Sequence, residues 1–175
     1  MACLGYTPKA PPRRLGIRAV RRPVLASARR FGYNEHAAMD LVEVELARVV
    51  IHQKGDQQYI HLRERHGNRG FPIVIGFHEV EEINRKLSGM KPPRPLTHDL
   101  IGRIVSALDH RILRVVINDL REGTFYANLV LVPKDNPQGP QRNVDCRPSD
   151  AIALAVQTGA PILVAREVFD ALVEG

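Results

Sequence analysis

The stretch Pro148 to Thr158 constrains the fold more than any other part of the chain. Ala151, Ile152, Leu154, Ala155 and Val156 are spread so that a helix here is apolar on nearly every side, and a helix without a polar face belongs at the centre of a core. Pro148 stands at the first helical position, where its missing N–H is no loss, and Gly159 with Pro161 ends the segment. A chain of 175 residues with 44% hydrophobic content can build a core around it without disulfide or metal staples.

The rest of the pattern supplies the cover. From Asp40, Val42, Val44, Leu46 and Val49 alternate toward Ile51 as a half-buried strand, and a turn at Lys54-Gly55-Asp56 leads to a second strand over Gln58–Arg63, paired antiparallel with the first. Pro72 to Gly76 is a short continuous apolar run of the kind a buried strand shows. Phe77–Leu87 has helical spacing, with Val80, Ile83 and Leu87 on one face and Glu82/Lys86 as an i,i+4 pair. Thr97 offers an N-cap to a helix whose apolar positions are Leu100, Ile101, Ile104, Val105 and Leu108. Ile112–Asp119 and Thr124–Val132 form a hairpin around Gly123, Arg142–Cys146 is a short strand, Ile162–Val164 another, and Glu167–Leu172 a closing helix. A strand hairpin followed by strands alternating with helices predicts an α+β domain: a mixed sheet of about six to seven strands with three to four helices packed on it.

The formal charge of +6 is unevenly placed. Residues 1–38 carry eight Lys or Arg and one acid, while residues 39–175 carry 17 basic and 18 acidic residues. The first 38 residues, Pro-rich and without a periodic apolar face, are expected as a disordered basic extension. They resemble a transit-like peptide or a phosphate-binding arm in composition, but Met39 directly before the first alternation favours a translated segment without a role and a folded domain over 39–175. Cys3 and Cys146 show no metal-ligand spacing, which fits a reducing cytoplasm. No apolar run approaches the ~18 residues of a membrane span.

Two similar phrases carry the chemistry: Arg94-Pro95-Leu96-Thr97-His98-Asp99 and Arg147-Pro148-Ser149-Asp150. Each places a guanidinium, a hydroxyl and a carboxylate at a helix start, where unpaired N–H groups and the macrodipole favour anions. Such groups are raw material for holding phosphate, or a metal such as Mg²⁺ or Mn²⁺ that holds phosphate. Asp99, Asp145 and Asp150 are the candidate ligands and catalytic carboxylates, His98 the candidate base, and Arg94 and Arg147 the phosphate clamps, with Thr97 and Ser149 beside them. Asp145 and Asp150 bracket one strand-to-helix junction and are expected to converge there. Glu79 and Glu122 are weaker additions. The same residues also make two well-capped helices, Asp99 and Asp150 answering the N–H groups and the arginines buttressing them. No Gly-x-Ser-x-Gly elbow, Walker loop or dinucleotide fingerprint is present.

The phrases Phe71-Pro72-Ile73-Val74-Ile75-Gly76, Glu79, Arg94 to Leu100, Gly123-Thr124-Phe125-Tyr126-Ala127 and Asp145 to Ala155, in this order, resemble the bifunctional nuclease family, also called the DNase/RNase domain. The resemblance runs from about Asp40 to Glu174. It implies a compact mixed α and β domain with activity on both DNA and RNA, as in the family's plant members. The expectation is therefore a nuclease of little sequence preference, dependent on Mg²⁺ or Mn²⁺, acting on nucleic acid in the cytoplasm, with a homo-oligomer as a further expectation. The alternative is a non-catalytic binding or regulatory domain whose Arg/Asp/His cluster holds a small phosphorylated ligand or builds a subunit interface.

Overall fold

Alternation after Asp40 produces β1 (Leu41–Val50) and then β2 (Gln58–Glu64) in the computed structural model, which describes residues 40–51 and 57–174. The expectations for residues 1–38, for Met39 and for the turn at Lys54 to Asp56 lie outside the described residues. The remaining elements are β3 (Gly70–Ile75), α1 (Phe77–Leu87), α2 (Thr97–Ala107), β4 (His110–Arg121), β5 (Thr124–Pro133), β6 (Arg142–Cys146), α3 (Pro148–Thr158), β7 (Ile162–Ala165) and α4 (Arg166–Glu174). All seven strands among the described residues join one sheet in the order β3-β2-β1-β7-β4-β5-β6. Every neighbouring pair is antiparallel except β4 with β7, so the sheet is mixed.

Helix α3 is the centre of the core. Ala151, Ile152, Ala153, Leu154 and Ala155 are all buried, because α1, α2 and both strands of the β4–β5 hairpin pack against it. Gly159 at φ 71° closes the helix in the left-handed conformation, which glycine adopts without a Cβ clash.

The sheet is strongly curled. Phe71 on β3 stacks on Phe125 of β5 with ring centroids 5.5 Å apart, although four strands stand between β3 and β5 in the sheet order; a flat sheet would hold them about 24 Å apart at roughly 4.8 Å per strand. Two irregularities in β4, between Ile112 and Arg114 and between Ile117 and Asp119, bend the long hairpin, as bulges do. Its turn, Glu122-Gly123, has φ of 49° and 75°, the positive pair of a tight hairpin turn. Phe169 of α4 meets Phe71 edge-on at 5.3 Å and completes the closure.

Two expectations change. The apolar run at Pro72 is not a strand buried on both faces but an edge strand: Phe71, Ile73 and Ile75 point inward while Val74 is 60% exposed, and an edge is where a strand tolerates proline. In α2, Leu96 rather than Thr97 precedes the helix, and Asp99 accepts the Leu96 N–H at 3.0 Å. Of the five apolar positions of α2, only Ile101 and Val105 pack on the core, whereas Leu100, Ile104 and Leu108 face outward. No helix among the described residues is long and apolar enough to cross a membrane.

Candidate functional site

Three helix segments meet at one charged chain of side chains. Arg147 immediately precedes α3 and Asp150 lies in its first turn. His98 and Asp99 open α2, and α1 presents Glu79, Glu82, Arg85 and Lys86 at the three- and four-residue spacing that aligns one helix face. Glu79 is pressed against Gly76, where an added Cβ would come within 2.3 Å of its carboxylate.

Arg147 is the hub. Its Nε and Nη2 donate to the two oxygens of Asp150 at 2.9 and 3.1 Å, and Nη1 donates to Glu79 at 2.7 Å. Asp150 Oδ1 also lies 3.0 Å from His98 Nε2, and His98 Nδ1 lies 3.7 Å from Glu82. Glu82 is held by Arg85 through bonds of 2.7 and 2.8 Å. Arg85 reaches on to Asp99 at 3.1 Å, and Lys86 donates to both Asp99 and Gln157. The chain thus alternates four carboxylates with three permanent cations and one imidazole.

The electrostatics follow from this pairing. Lys86, helped by the Leu96 N–H and Arg85, outweighs partial burial and holds Asp99 down at about 2. Burial pushes the Asp150 carboxyl up, but its bonds from Arg147 and His98 leave it below the usual value. Arg147 lowers Glu79, and Arg85 lowers Glu82. In return the Asp150 and Glu79 carboxylates hold the proton on Arg147 more tightly than usual.

Beside this chain lies a cleft of about 410 Å³ between β3, the β4–β5 turn and the start of α3, within the range of small-ligand sites. Ile73, Ile75, Phe125 and Pro148 make its apolar wall; Glu79, Arg147 and Ser149 add the polar groups. Ser149 is itself buried, whereas the Arg147 side chain is 64% exposed.

The structure brings together His98, Asp150, Arg147 and, through Glu82 and Arg85, Asp99. It does not bring Asp145 to them. Asp145 is the cross-strand partner of Asn128, and Asn128 alternates with Ala127 and Leu129, which point into the core. Asp145 therefore sits on the opposite face of the sheet from the helices, and its expected convergence with Asp150 does not occur. Arg94 and Thr97 are exposed, and Arg94 has no ion pair among the described residues. Glu122 lies in the exposed hairpin turn. Sequence reasoning overlooked Lys86, Arg85 and Glu82 as site residues, taking Glu82/Lys86 for an ordinary helix pair. The Glu79, Glu82, Arg85, Lys86 spacing was the available signal.

The donor set does not fit the expected Mg²⁺ or Mn²⁺. Asp99 and Asp150 are each engaged by cationic groups, Asp145 faces elsewhere, and the described residues contain no group of three or more His, Cys, Asp or Glu placed to hold a metal ion. What the site offers is one exposed guanidinium, shared by two carboxylates, on the edge of a cleft, and a histidine held between two carboxylates.

The model of the bifunctional nuclease domain matches residues 60–173. Two uncharacterized proteins of Mycobacterium tuberculosis, from strain CDC 1551 / Oshkosh and strain H37Rv, are each 43% identical over 124 residues, covering 70% of this chain and 70% of the relative. The matched span contains β3, α1, α2, the β4–β5 hairpin and α3, the elements that assemble the charged chain and its cleft, so the protein belongs to the bifunctional nuclease domain family.

Proposed function

We propose that the chain hydrolyses phosphodiester bonds in DNA and RNA, with little sequence preference, at the cleft beside Arg147, and that it does so in the cytoplasm. One observation carries the reading beyond the family: Arg147 is exposed on the cleft while directly bonded to Asp150, which in turn contacts His98. A guanidinium has five N–H groups, and among the described residues three of those of Arg147 are engaged. Two are left for a phosphate oxygen, where they offset the charge that develops as water attacks phosphorus and the ester oxygen leaves. The His98–Asp150 pair supplies the place for the proton that moves in that step.

A second reading is favoured by the pairing of each carboxylate with a base: a non-catalytic domain that binds a small phosphorylated ligand. The experiment that separates them uses the full chain with DNA and with RNA, in Mg²⁺, in Mn²⁺ and in chelator, beside Asp150→Asn. The expected result is hydrolysis that persists in chelator and is lost in Asp150→Asn, while the variant, less stable for want of the Arg147 ion pair, still folds and unfolds cooperatively. Hydrolysis that vanishes in chelator would overturn the metal-free reading. No hydrolysis in any condition, with inorganic phosphate binding that disappears in Arg147→Met, would establish the second one.

A further inference from the structure

Helix α2 turns its apolar side outward. Leu96, Leu100, Ile104 and Leu108 are 46%, 51%, 48% and 66% exposed, and no residue of α2 is fully buried. They recur every four residues, which makes one ridge along the helix. Met90, on the segment entering α2, is 58% exposed as well. Charged residues would be the expected occupants of such a face on a monomer.

We propose that this ridge is a homodimer interface, in which α2 packs antiparallel against α2 of a second copy of this chain. Three features select a second copy over another partner. The ridge is palindromic about Gly102: reversed, Leu96 meets Leu108 and Leu100 meets Ile104, the self-complementarity that a twofold interface demands. Its ends are also complementary in charge. Exposed Lys91 and Arg94 precede the helix and exposed Asp109 follows it, with no ion pair among the described residues. Antiparallel pairing brings Lys91 and Arg94 of each copy to Asp109 of the other, while the negative pole of α2 itself is already met by Lys134, whose Nζ donates to the Ser106 carbonyl at 2.7 Å. Arg103 stays at the rim with its charge in water. The area is of the right order: the four ridge side chains and Met90 leave roughly 500 Å² exposed, at the upper end for a monomer's apolar patch and most of the ~800 Å² per partner of a standard interface.

The inference is independent of hydrolysis at the cleft, although the two share an element. His98 and Asp99 stand in the first turn of α2, so the dimer contact would brace the helix that carries them. The test is sedimentation velocity on the full chain from about 1 to 100 µM, a range that resolves micromolar dissociation constants. Wild type should move from the 19.6 kDa monomer to twice that mass. Ile104→Glu should weaken the dimer at least about a hundredfold, as the loss of a central apolar contact does, with an unchanged circular dichroism spectrum. Arg94→Glu should weaken it about tenfold, and more at low salt than at high salt. Should Ile104→Glu fail to fold, a mixture of Leu100→Cys and Ile104→Cys chains in a Cys3→Ser background decides the matter. The mixture should form a covalent dimer under mild oxidation faster than either variant alone. A wild type that remains monomeric throughout, a dimer indifferent to Ile104→Glu, or no preferential cross-linking in the mixture would overturn the proposal.

Discussion

Replacing Lys86 by Met removes one ammonium from the centre of the charged chain and keeps a stem of similar length. The Lys86 side chain is 6% exposed, bonds Asp99 and Gln157, and lies 3.5 Å from Glu82. Breaking a buried ion pair by removing one partner costs about 3–5 kcal/mol. The cost here is smaller, because Asp99 retains Arg85 at 3.1 Å and the Leu96 N–H at 3.0 Å. The depression of Asp99 from 3.8 to about 2 is the net of its contacts with Lys86, the Leu96 N–H and Arg85 against an opposing burial cost; at about 1.4 kcal/mol per unit it amounts to roughly 2.5 kcal/mol, with Lys86 the largest contributor. Adding the weaker contact with Glu82, Lys86→Met should lose about 2 kcal/mol at pH 7, or about 4–8 °C in Tm. The sign of the pH dependence is fixed by the same residue. A carboxyl whose folded pKa is depressed contributes stability that is complete above its unfolded pKa near 4 and is lost as pH falls through the folded value near 2. The gap between wild type and variant should therefore be full at pH 7, begin to shrink below about pH 4 and narrow further toward pH 2. Urea unfolding followed by circular dichroism at successive pH values measures this, and Lys86→Met should cost less in an Asp99→Asn background than in wild type. A variant as stable as wild type at pH 7, or a deficit that does not shrink in acid, would refute the reasoning.

Leu154 is 1% exposed within α3, so Leu154→Ala should cost about 2–5 kcal/mol by the loss of transfer energy and the cavity left behind; a near-neutral urea midpoint would show that α3 is not the core. Gly123→Ala adds a Cβ at φ 75° with nothing within 4 Å of it, so it should cost about 1 kcal/mol through backbone strain alone, read as a shifted urea midpoint with an unchanged slope.

The sequence by itself determined what depends on neighbours along the chain. Period-two alternation marked β1 and β2, helical spacing placed α1 from Phe77 to Leu87, and Pro148 with Gly159 bounded α3 at the ends it has in the structure. The burial of α3 was equally legible, because a helix with no polar side has only one environment open to it. Tertiary structure decided which side of an ambiguous element faces the core. Both sides of α2 are apolar, and α2 buries Ile101 and Val105 while leaving Leu100 and Ile104 outside; no local rule chooses between them. Asp145 and Asp150 are near in sequence, yet the alternation of β6 sends Asp145 to the sheet face opposite the charged chain, and that parity is set by pairing with β5. The Arg-Pro phrases announced two helix starts. That α1 would bring Lys86 and Arg85 to Asp99, and that a curled sheet would bring Phe71 to Phe125 beside Arg147, follows only from long-range packing, in which contacts distant in sequence choose among locally equivalent arrangements.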